Sequence, residues 1–217
     1  MHKLLKFPWQ EKDRHFFSSD WHIFHDPKWD NPIWNMRGYS SAEDAAQKTL
    51  EKINERVGED DIIWYLGDMF LNATDEQCLE WLNKIKCKNV YFVYGNHESN
   101  IHRLYKQEVL KQFGRDDIEV YPLKMGNVTF LGDYQEIQIG KKHIVCCHYS
   151  LNSWHKMMHG SWHICGHSHS DDKTINPDYP IGKVIDSGWD WKKDLWSVDE
   201  ISEIMAAKQI KAEGHHV

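Results

Sequence analysis

The segment Asn89–Ser99, N-V-Y-F-V-Y-G-N-H-E-S, begins as an apolar run and ends in polar side chains. The run Val90–Val93 predicts a short buried strand, because continuous apolar residues are typical of strands covered on both faces. An amide, an imidazole and a carboxylate follow directly, from Asn96, His97 and Glu98. A turn accounts for the glycine and the asparagine but not for the histidine. The segment therefore predicts a strand that presents reactive groups at its carboxyl end.

The same arrangement recurs at the ends of other predicted strands. One strand precedes D-W-H, a second precedes G-D, a third precedes a single His, and a fourth precedes G-H-S-H. Alternate side chains of an extended segment point the same way, so each D-x-H or H-x-H pair can hold one cation. The metal-ligand candidates at these strand ends are Asp20, His22, Asp68, Asn96, His148, His167 and His169.

The first half of the chain alternates strands with helices, which predicts βαβ units, a parallel sheet and an α/β fold class. Ligands gather beyond the carboxyl ends of such strands. The second half is mostly β, with a hairpin turning at Gly140, until a C-terminal helix capped by Ser197. Three helices are predicted in the first half: one from Ala42 to Val57, which Gly58 can end, one capped by Thr74 and running to about Ile85, and one from Asn100 to about Phe113.

Composition restricts the class of protein. The chain has 217 residues, which suits a single domain over 1–217, and a formal net charge of −7, which disfavours an extended surface for duplex nucleic acid. No apolar stretch approaches the length of a membrane span, and the N-terminus lacks a signal-peptide core, so we expect a cytoplasmic protein. The five cysteines are odd in number and form no C-x-x-C pair, which disfavours disulfides and a zinc ribbon.

The ligand types indicate which cations the site would bind. A mixture of carboxylate, imidazole and one amide oxygen suits Mn, Fe, Zn or Ni better than Ca or Mg. A carboxylate with two free oxygens, such as that of Asp68, could bridge two cations roughly 3.5–4 Å apart. Each motif alone is weak evidence. Gly132-Asp133 also follows an apolar run, for example, and is a competing G-D pair.

Taken in order, the motifs D-x-H, G-D, G-N-H-E, H and G-H-x-H resemble the signature of the calcineurin-like metallophosphoesterase superfamily. The match runs from Asp20 to His169. Because the G-D block precedes G-N-H-E, the resemblance selects Asp68 over Asp133. It implies a four-layer αββα fold that holds two divalent transition-metal ions, most often Mn, with Fe, Zn, Ni or Mg as alternatives.

The resemblance also implies a role for each residue. Asp20, His22 and His169 would hold the first metal, Asn96, His148 and His167 the second, and Asp68 would bridge them. A hydroxide between the metals would attack phosphorus, and the imidazole of His97 would protonate the leaving oxygen. Glu98 matches the acidic position of the motif, and we expect a structural role for it.

Differences from the motifs of particular subfamilies narrow the range of expected substrates. Ser/Thr protein phosphatases extend the G-D block to G-D-x-x-D-R-G, whereas this chain has Leu71 and Asn72 at the acidic and arginine positions. The S-D-W-H-I-F-H opening resembles small stand-alone bacterial and phage phosphoesterases, which makes His25 a candidate for substrate contact. Arg37 and Lys28, in the loop over residues 24–39, are candidate phosphate partners. Tryptophans in nearby segments could stack a nucleobase or could be ordinary core: Trp21, Trp29, Trp34, Trp154, Trp162, Trp189 and Trp191.

The first hypothesis is therefore a phosphodiesterase acting on a small or nucleotide-like phosphoester. The second is a phosphomonoesterase with the same metals. The third is a non-catalytic metal-binding scaffold, a reading that normally requires lost ligands, and here no ligand position is missing.

Overall fold

The protein is described by a computed structural model that covers residues 4–26, 31–169 and 182–210. These residues form two β-sheets with helices around them. The strands are β1 (Leu5–Phe7), β2 (His15–Ser18), β3 (Ile62–Leu66), β4 (Val90–Val93), β5 (Leu123–Met125), β6 (Val128–Phe130), β7 (Tyr134–Ile139), β8 (Lys142–Cys147), β9 (Trp162–Cys165), β10 (Val184–Asp186) and β11 (Trp196–Ser197). The helices are α1 (Ile33–Met36), α2 (Ala42–Arg56), α3 (Asp75–Leu82), α4 (Ser99–Phe113), α5 (Trp189–Lys192) and α6 (Val198–Ala207).

The first sheet has the strand order β11-β2-β3-β4-β6-β5. Its four inner strands, β2, β3, β4 and β6, are mutually parallel, and the two outer strands pair antiparallel. All five residues of β3 are buried, as a continuous apolar run predicts for a strand covered on both faces. The predicted parallel sheet is confirmed, and the carboxyl ends of β2, β3 and β4 lie at one edge.

The second sheet has the order β1-β7-β8-β9-β10. Strands β7 and β8 form an antiparallel hairpin in which Ile139 pairs with Lys142, so Gly140 and Lys141 make the turn. Gly140 has a φ of +58°, a conformation that glycine adopts readily. The hairpin predicted at Gly140 is confirmed. Strands β8, β9 and β10 are parallel to one another and end at a common edge.

Apolar side chains pack the two sheets face to face. Trp64 and Leu66 of β3 lie in one cluster with Ile144 of β8 and Ile164 of β9. The other face of the first sheet is covered by α2, α3 and α4, and the outer face of the second is covered by residues 149–161, where Trp154 and Met157 pack. The predicted α/β sandwich is confirmed.

Two helix boundaries differ from the prediction. Helix α3 ends at Leu82 rather than near Ile85, because the Lys84 and Ile85 amides bond to carbonyls only three residues back. Such bonds tighten and end a helix. Helix α2 ends because Val57 adopts an extended backbone, and not because of a left-handed Gly58.

Most of the tryptophans considered for stacking belong to the core. Trp21, Trp154, Trp162 and Trp189 are buried, whereas Trp34 and Trp191 are partly exposed. Trp29 and Lys28 lie outside the described residues. All five cysteines are buried free thiols. In the part of the chain that the structure describes, every helix is too short or too polar to cross a bilayer.

Candidate metal centre

The predicted ligands meet where the parallel strands of both sheets end. The first sheet contributes Asp20 and His22 after β2, Asp68 after β3 and Asn96 after β4. The second sheet contributes His148 after β8 and the pair His167 and His169 after β9. The structure therefore brings all seven together, as expected for a crevice at the carboxyl ends of strands.

Asp20, His22 and His169 form one group whose ligand atoms all lie within 4.8 Å of one another. The Nε2 atoms of the two histidines are 3.1 Å apart, and Asp20 Oδ1 lies 3.9 Å from His22 Nε2 and 3.7 Å from His169 Nε2. The other carboxylate oxygen, Oδ2, accepts hydrogen bonds from the Ser19 hydroxyl and the His167 amide. Buried Oδ1, in contrast, has no hydrogen-bond partner in the described part of the chain.

Asp20, Asp68 and His148 form a second group within the same distance limit. Asp68 Oδ2 lies 3.5 Å from His148 Nε2, which also lies 2.9 Å from Asn96 Oδ1. Burial raises the pKa of Asp68, but the adjacent His148 imidazole and the hydrogen bond from the His97 amide outweigh it and lower the pKa to about 2. Asp20 is thus common to both groups, and the bridging role that the resemblance gives to Asp68 stays a prediction.

Two of the histidines are oriented through the nitrogen that faces away from the centre. His148 Nδ1 lies 2.7 Å from the carbonyl oxygen of Leu66, and His169 Nδ1 lies 2.6 Å from Asp190 Oδ2. Each contact fixes the proton on Nδ1 and leaves a lone pair on Nε2. The Nε2 atoms then face other acceptors, namely Asn96 Oδ1 and the remaining ring nitrogens and carboxylates.

Such clustering of acceptors is unfavourable unless a cation lies among them. Two buried carboxylates within 4.8 Å repel each other, and a buried oxygen without a partner costs about 1–3 kcal/mol. Nitrogen, carboxylate and amide oxygen together form a donor set for divalent transition metals. The residues present therefore fit a metal centre.

Backbone conformation supports the same conclusion. Asp20, His22, Asp68, His167 and His169 have φ values of 48° to 71°. Residues other than glycine adopt this left-handed region in only a few per cent of cases, and the conformation costs about 1–3 kcal/mol each. Five of the seven predicted ligands are held in this way, which concentrates backbone strain at the centre.

The comparisons with known proteins agree with this geometry. The family model described as calcineurin-like phosphoesterase matches residues 16–179. The chain belongs to this family. Members are metal-dependent phosphoesterases, so the protein is a hydrolase whose centre holds divalent metal ions.

A solved structure shows the same fold. A crystal structure of a protein of unknown function from Aquifex aeolicus aligns with a TM-score of 0.60 and 19% sequence identity. The alignment covers 88% of this chain and 98% of that one. At this identity the similarity shows the fold alone. A search of the curated proteins found no significant match.

Close backbone contacts explain the glycines of the phosphoesterase motifs. A Cβ atom on Gly67 would lie 2.6 Å from His148 Nδ1, and one on Gly95 would lie 2.8 Å from the amide nitrogen of Asp68 and overlap its carboxylate. A Cβ on Gly166 would overlap Ser19 and Asp20. Glycine at these three positions lets the segments that follow different strands approach closely, so that their side chains can bind the same metals.

Glu98 has the structural role expected for it. The carboxylate is buried and accepts hydrogen bonds from the amides of Asp68 and Gly95. Burial raises the pKa of Glu98 to about 8, so the side chain fixes the backbone of two motifs without adding a negative charge at neutral pH.

His97 and His25 lie at the accessible side of the centre. The His97 ring is exposed and its centroid is 5.8 Å from that of His22, while its amide donates to Asp68 Oδ1 at 2.8 Å. The His25 ring lies 6.4 Å from His22, and its Nδ1 accepts from the amide of Ile33. Both positions are compatible with their predicted roles. The competing Asp133 is exposed and outside both ligand groups.

Arg37 lies beneath the centre and bonds mainly within the protein. Its buried guanidinium donates to both carboxylate oxygens of Asp190, at 2.7 and 2.9 Å, and to the carbonyl oxygens of Trp21 and Asp20. Four of its five N–H groups are thus used within the protein. The arginine therefore holds the backbone and Asp190 beneath the centre, and its predicted contact with a substrate phosphate stays a prediction.

Asp190 is the site residue that sequence reasoning missed. It orients His169 and is itself held by Arg37. Burial raises the pKa of Asp190, but the bonds with Arg37 and His169 outweigh burial and lower the pKa. Asp190 belongs to none of the motifs of the sequence, and no pattern marks this aspartate as a partner of a ligand histidine. A carboxylate behind a metal-binding histidine is a common arrangement.

Proposed function

We propose that the protein is a dinuclear phosphodiesterase that hydrolyses a small or nucleotide-like phosphoester. Two bound divalent cations would make a water molecule nucleophilic near neutral pH and neutralise charge on the phosphoryl oxygens. Mn is the expected metal, since the ligand set mixes one amide and two carboxylate oxygens with four imidazoles. The seven ligands and His97 supply the remaining chemistry.

The hydrogen bonds that Arg37 makes within the protein are the observation that favours a phosphodiester substrate over a phosphomonoester. A phosphomonoester is a dianion, and a guanidinium clamp is a strong way to bind it. The arginine that contacts this centre is committed to Asp190 and to two backbone carbonyls. Leu71 and Asn72 occupy the positions where protein phosphatases carry the acidic and arginine residues. A monoanionic diester needs less of this positive charge.

His97 is positioned to donate a proton to the leaving oxygen. Its backbone is tied to Asp68, and its exposed ring makes no hydrogen bond to the residues that the structure describes, so the imidazole can turn toward a bound substrate. Histidine is the side chain that most often performs this proton transfer. His25, at the same rim, would contact the substrate.

A phosphomonoesterase is the second candidate, and the relative rates on two model substrates separate the two. We expect kcat/KM with Mn²⁺ to be at least about tenfold higher for bis-p-nitrophenyl phosphate than for p-nitrophenyl phosphate, a difference of ~1.4 kcal/mol in barrier. The reverse ratio would favour the monoesterase. Loss of both rates in Asp68→Asn is the control that assigns them to this centre.

The scaffold hypothesis predicts metal binding without hydrolysis of either substrate. All seven predicted ligand residues are present in the sequence, and the short distances among their side chains support the catalytic alternatives.

A further inference from the structure

A separate cluster of side chains that can bind a metal lies on the outer face of the second sheet, the one that contains β7 and β8. Glu136 of β7, His143 of β8 and His155 of the 149–161 segment offer ligand atoms that all lie within 4.8 Å of one another. Glu136 Oε2 lies 2.7 Å from His143 Nε2 and 2.8 Å from His155 Nδ1. None of these residues belongs to a phosphoesterase motif.

The cluster is separate from the catalytic centre. His143 precedes His148 by five residues along β8, which places their Cα atoms about 16 Å apart at the rise of an extended strand. Glu136 and His143 point to the face of the sheet opposite to the one that packs on β3, as the alternation along β7 shows. Metal bound here would not share a ligand with Asp20 or Asp68.

We propose that Glu136, His143 and His155 form a third divalent-metal site, suited to Zn²⁺. Two imidazoles and one carboxylate are a recurrent zinc ligand set, and three protein ligands leave one coordination position for water. Tetrahedral ligand atoms around zinc are about 3.3 Å apart, so the cluster must open by about half an ångström from its present spacing. His155 lies on an exposed segment that can make this adjustment.

Hydrogen bonds and burial favour the orientation and the protonation states of Glu136 and His143 that metal binding requires. Tyr134 donates a hydrogen bond to Glu136 Oε1 at 2.9 Å and leaves Oε2 directed at both histidines. Burial raises the pKa of Glu136, but bonds from His155, Tyr134 and His143 outweigh it and lower the pKa below its usual value. Burial also lowers the pKa of His143. The carboxylate is therefore charged and the His143 imidazole is neutral at pH 7, as metal coordination requires.

Access to the cluster is open from one side. His143 lines a cleft of about 430 Å³, and slightly more than half of the His155 side chain is exposed. Lys141, Lys142 and Lys156 line the same cleft and weaken the attraction of a cation. Salt screens this repulsion, so binding is best measured at about 0.15 M ionic strength.

The site would fix a loop that begins at the catalytic centre. The chain leaves β8 at His148, a predicted ligand, and reaches His155 seven residues later. Bound zinc would join this segment to the β7–β8 hairpin. Its contribution would be structural, with the 149–161 segment becoming more protected when zinc is present.

Zinc content separates the third site from the catalytic pair. Metal-depleted protein is loaded with excess Zn²⁺ and passed through a desalting column, and bound zinc is measured by elemental analysis. We expect three zinc ions per chain for the wild type and two for His155→Ala. The matched control is His159→Ala, an exposed histidine that lines the same cleft outside the cluster, which should keep three.

Glu136→Gln provides the second variant, because it preserves shape and hydrogen bonding while removing the charge. It should also lose one zinc ion and the zinc-dependent protection of residues 149–161 against hydrogen exchange. Equal zinc content in the wild type, His155→Ala and Glu136→Gln would overturn the proposal and leave the cluster a hydrogen-bonded triad. Because the count does not depend on hydrolysis, this outcome would not bear on the proposed phosphodiesterase.

Discussion

His97 lies beside predicted metal ligands without being in either ligand group, which separates its role from theirs. Its amide holds Asp68 while its exposed ring faces the solvent side of the centre. A proton donor of this kind matters most when the leaving oxygen is strongly basic.

We expect His97→Ala to keep both catalytic metals and to lose turnover selectively. For an alkyl phosphodiester, kcat should fall by about 100-fold or more, whereas a nitrophenyl diester, whose leaving group needs little protonation, should be affected much less. The comparison uses steady-state rates together with metal content. Equal losses on both substrates, or no loss on the alkyl ester, would remove His97 from proton transfer.

Asp190 acts on the centre through His169. In Asp190→Asn the amide can present N–H to His169 Nδ1, which would shift the proton to Nε2 and block coordination. We expect the affinity for Mn²⁺ to fall by about 10- to 100-fold in calorimetric titrations.

Asp133→Asn is the matched control for this substitution. Asp133 also follows a parallel strand and a glycine, but it is exposed and outside the ligand groups. It should bind Mn²⁺ as the wild type does. If Asp190→Asn and Asp133→Asn titrate alike, Asp190 does not orient the ligand.

At the residue scale, the order of the motifs was sufficient to select the seven ligand candidates. Each candidate directly follows a strand, so its position does not depend on the conformation of the longer loops. Arg37 and Asp190 could not be assigned, since their roles depend on a contact across 153 residues of sequence. Whether an arginine faces substrate or a buried carboxylate is decided by tertiary packing, and the local sequence carries no signal for it.

The helices are defined by local signals that can be tested separately from the site. Ser197 begins α6 with a capping box, in which its hydroxyl accepts from the Glu200 amide and Glu200 accepts from the Ser197 amide. This cap was predicted from the sequence, as was the Thr74 cap of α3, which the structure also shows.

Ser197→Ala should destabilise the protein without affecting catalysis. Loss of the cap costs about 1 kcal/mol, which corresponds to a fall in Tm of about 2–4 °C for a chain of this size. Ser202→Ala is the matched control, because the same change inside α6 removes no cap and improves helix propensity. Thermal unfolding of both variants tests this prediction, and equal Tm values would show that the capping box does not contribute to the stability of the protein.

Helix ends were less predictable than helix starts. The end of α3 at Leu82 depends on three-residue backbone bonds in the following turn. The end of α2 depends on the extended conformation of Val57, a buried residue fixed by core packing. Neither feature has a sequence signature comparable to an N-cap serine or threonine.

For the whole molecule, His15 links stability to pH. It is fully buried at the start of β2, and its Nδ1 accepts from the Trp64 indole at 3.0 Å. Burial, together with the charge of Arg14, lowers the pKa of His15 to about 4 from an ordinary value of 6.5. Between these values the unfolded chain binds a proton that the folded chain does not, so stability decreases as pH falls from 6.5 to 4.

The contribution of His15 over this interval is about 3 kcal/mol. His15→Asn keeps an acceptor for the indole but cannot titrate, so its free energy of unfolding should depend less steeply on pH between 6.5 and 4. Denaturant titrations in the presence of a chelator measure this without a contribution from metal release. Identical slopes for the variant and the wild type would contradict the assignment.

The two sheets together determine where the chemistry occurs. Sequence pattern predicted the parallel strands and the hairpin, but it did not show that Asp20 and His167 come from two different sheets packed face to face. The contacts that join them, from the His167 amide to Asp20 and from His148 Nδ1 to the Leu66 carbonyl, are long-range. They become available only after the sandwich has packed.

The central claim is that side chains from both sheets hold two cations. Anomalous X-ray scattering from crystals soaked in Mn²⁺ tests it most directly. We predict two peaks roughly 3.5–4 Å apart with Asp68 between them, one beside Asp20 and His22 and the other beside Asn96 and His148. The absence of paired peaks at this edge of the sandwich, with Mn²⁺ bound elsewhere or not at all, would contradict the account.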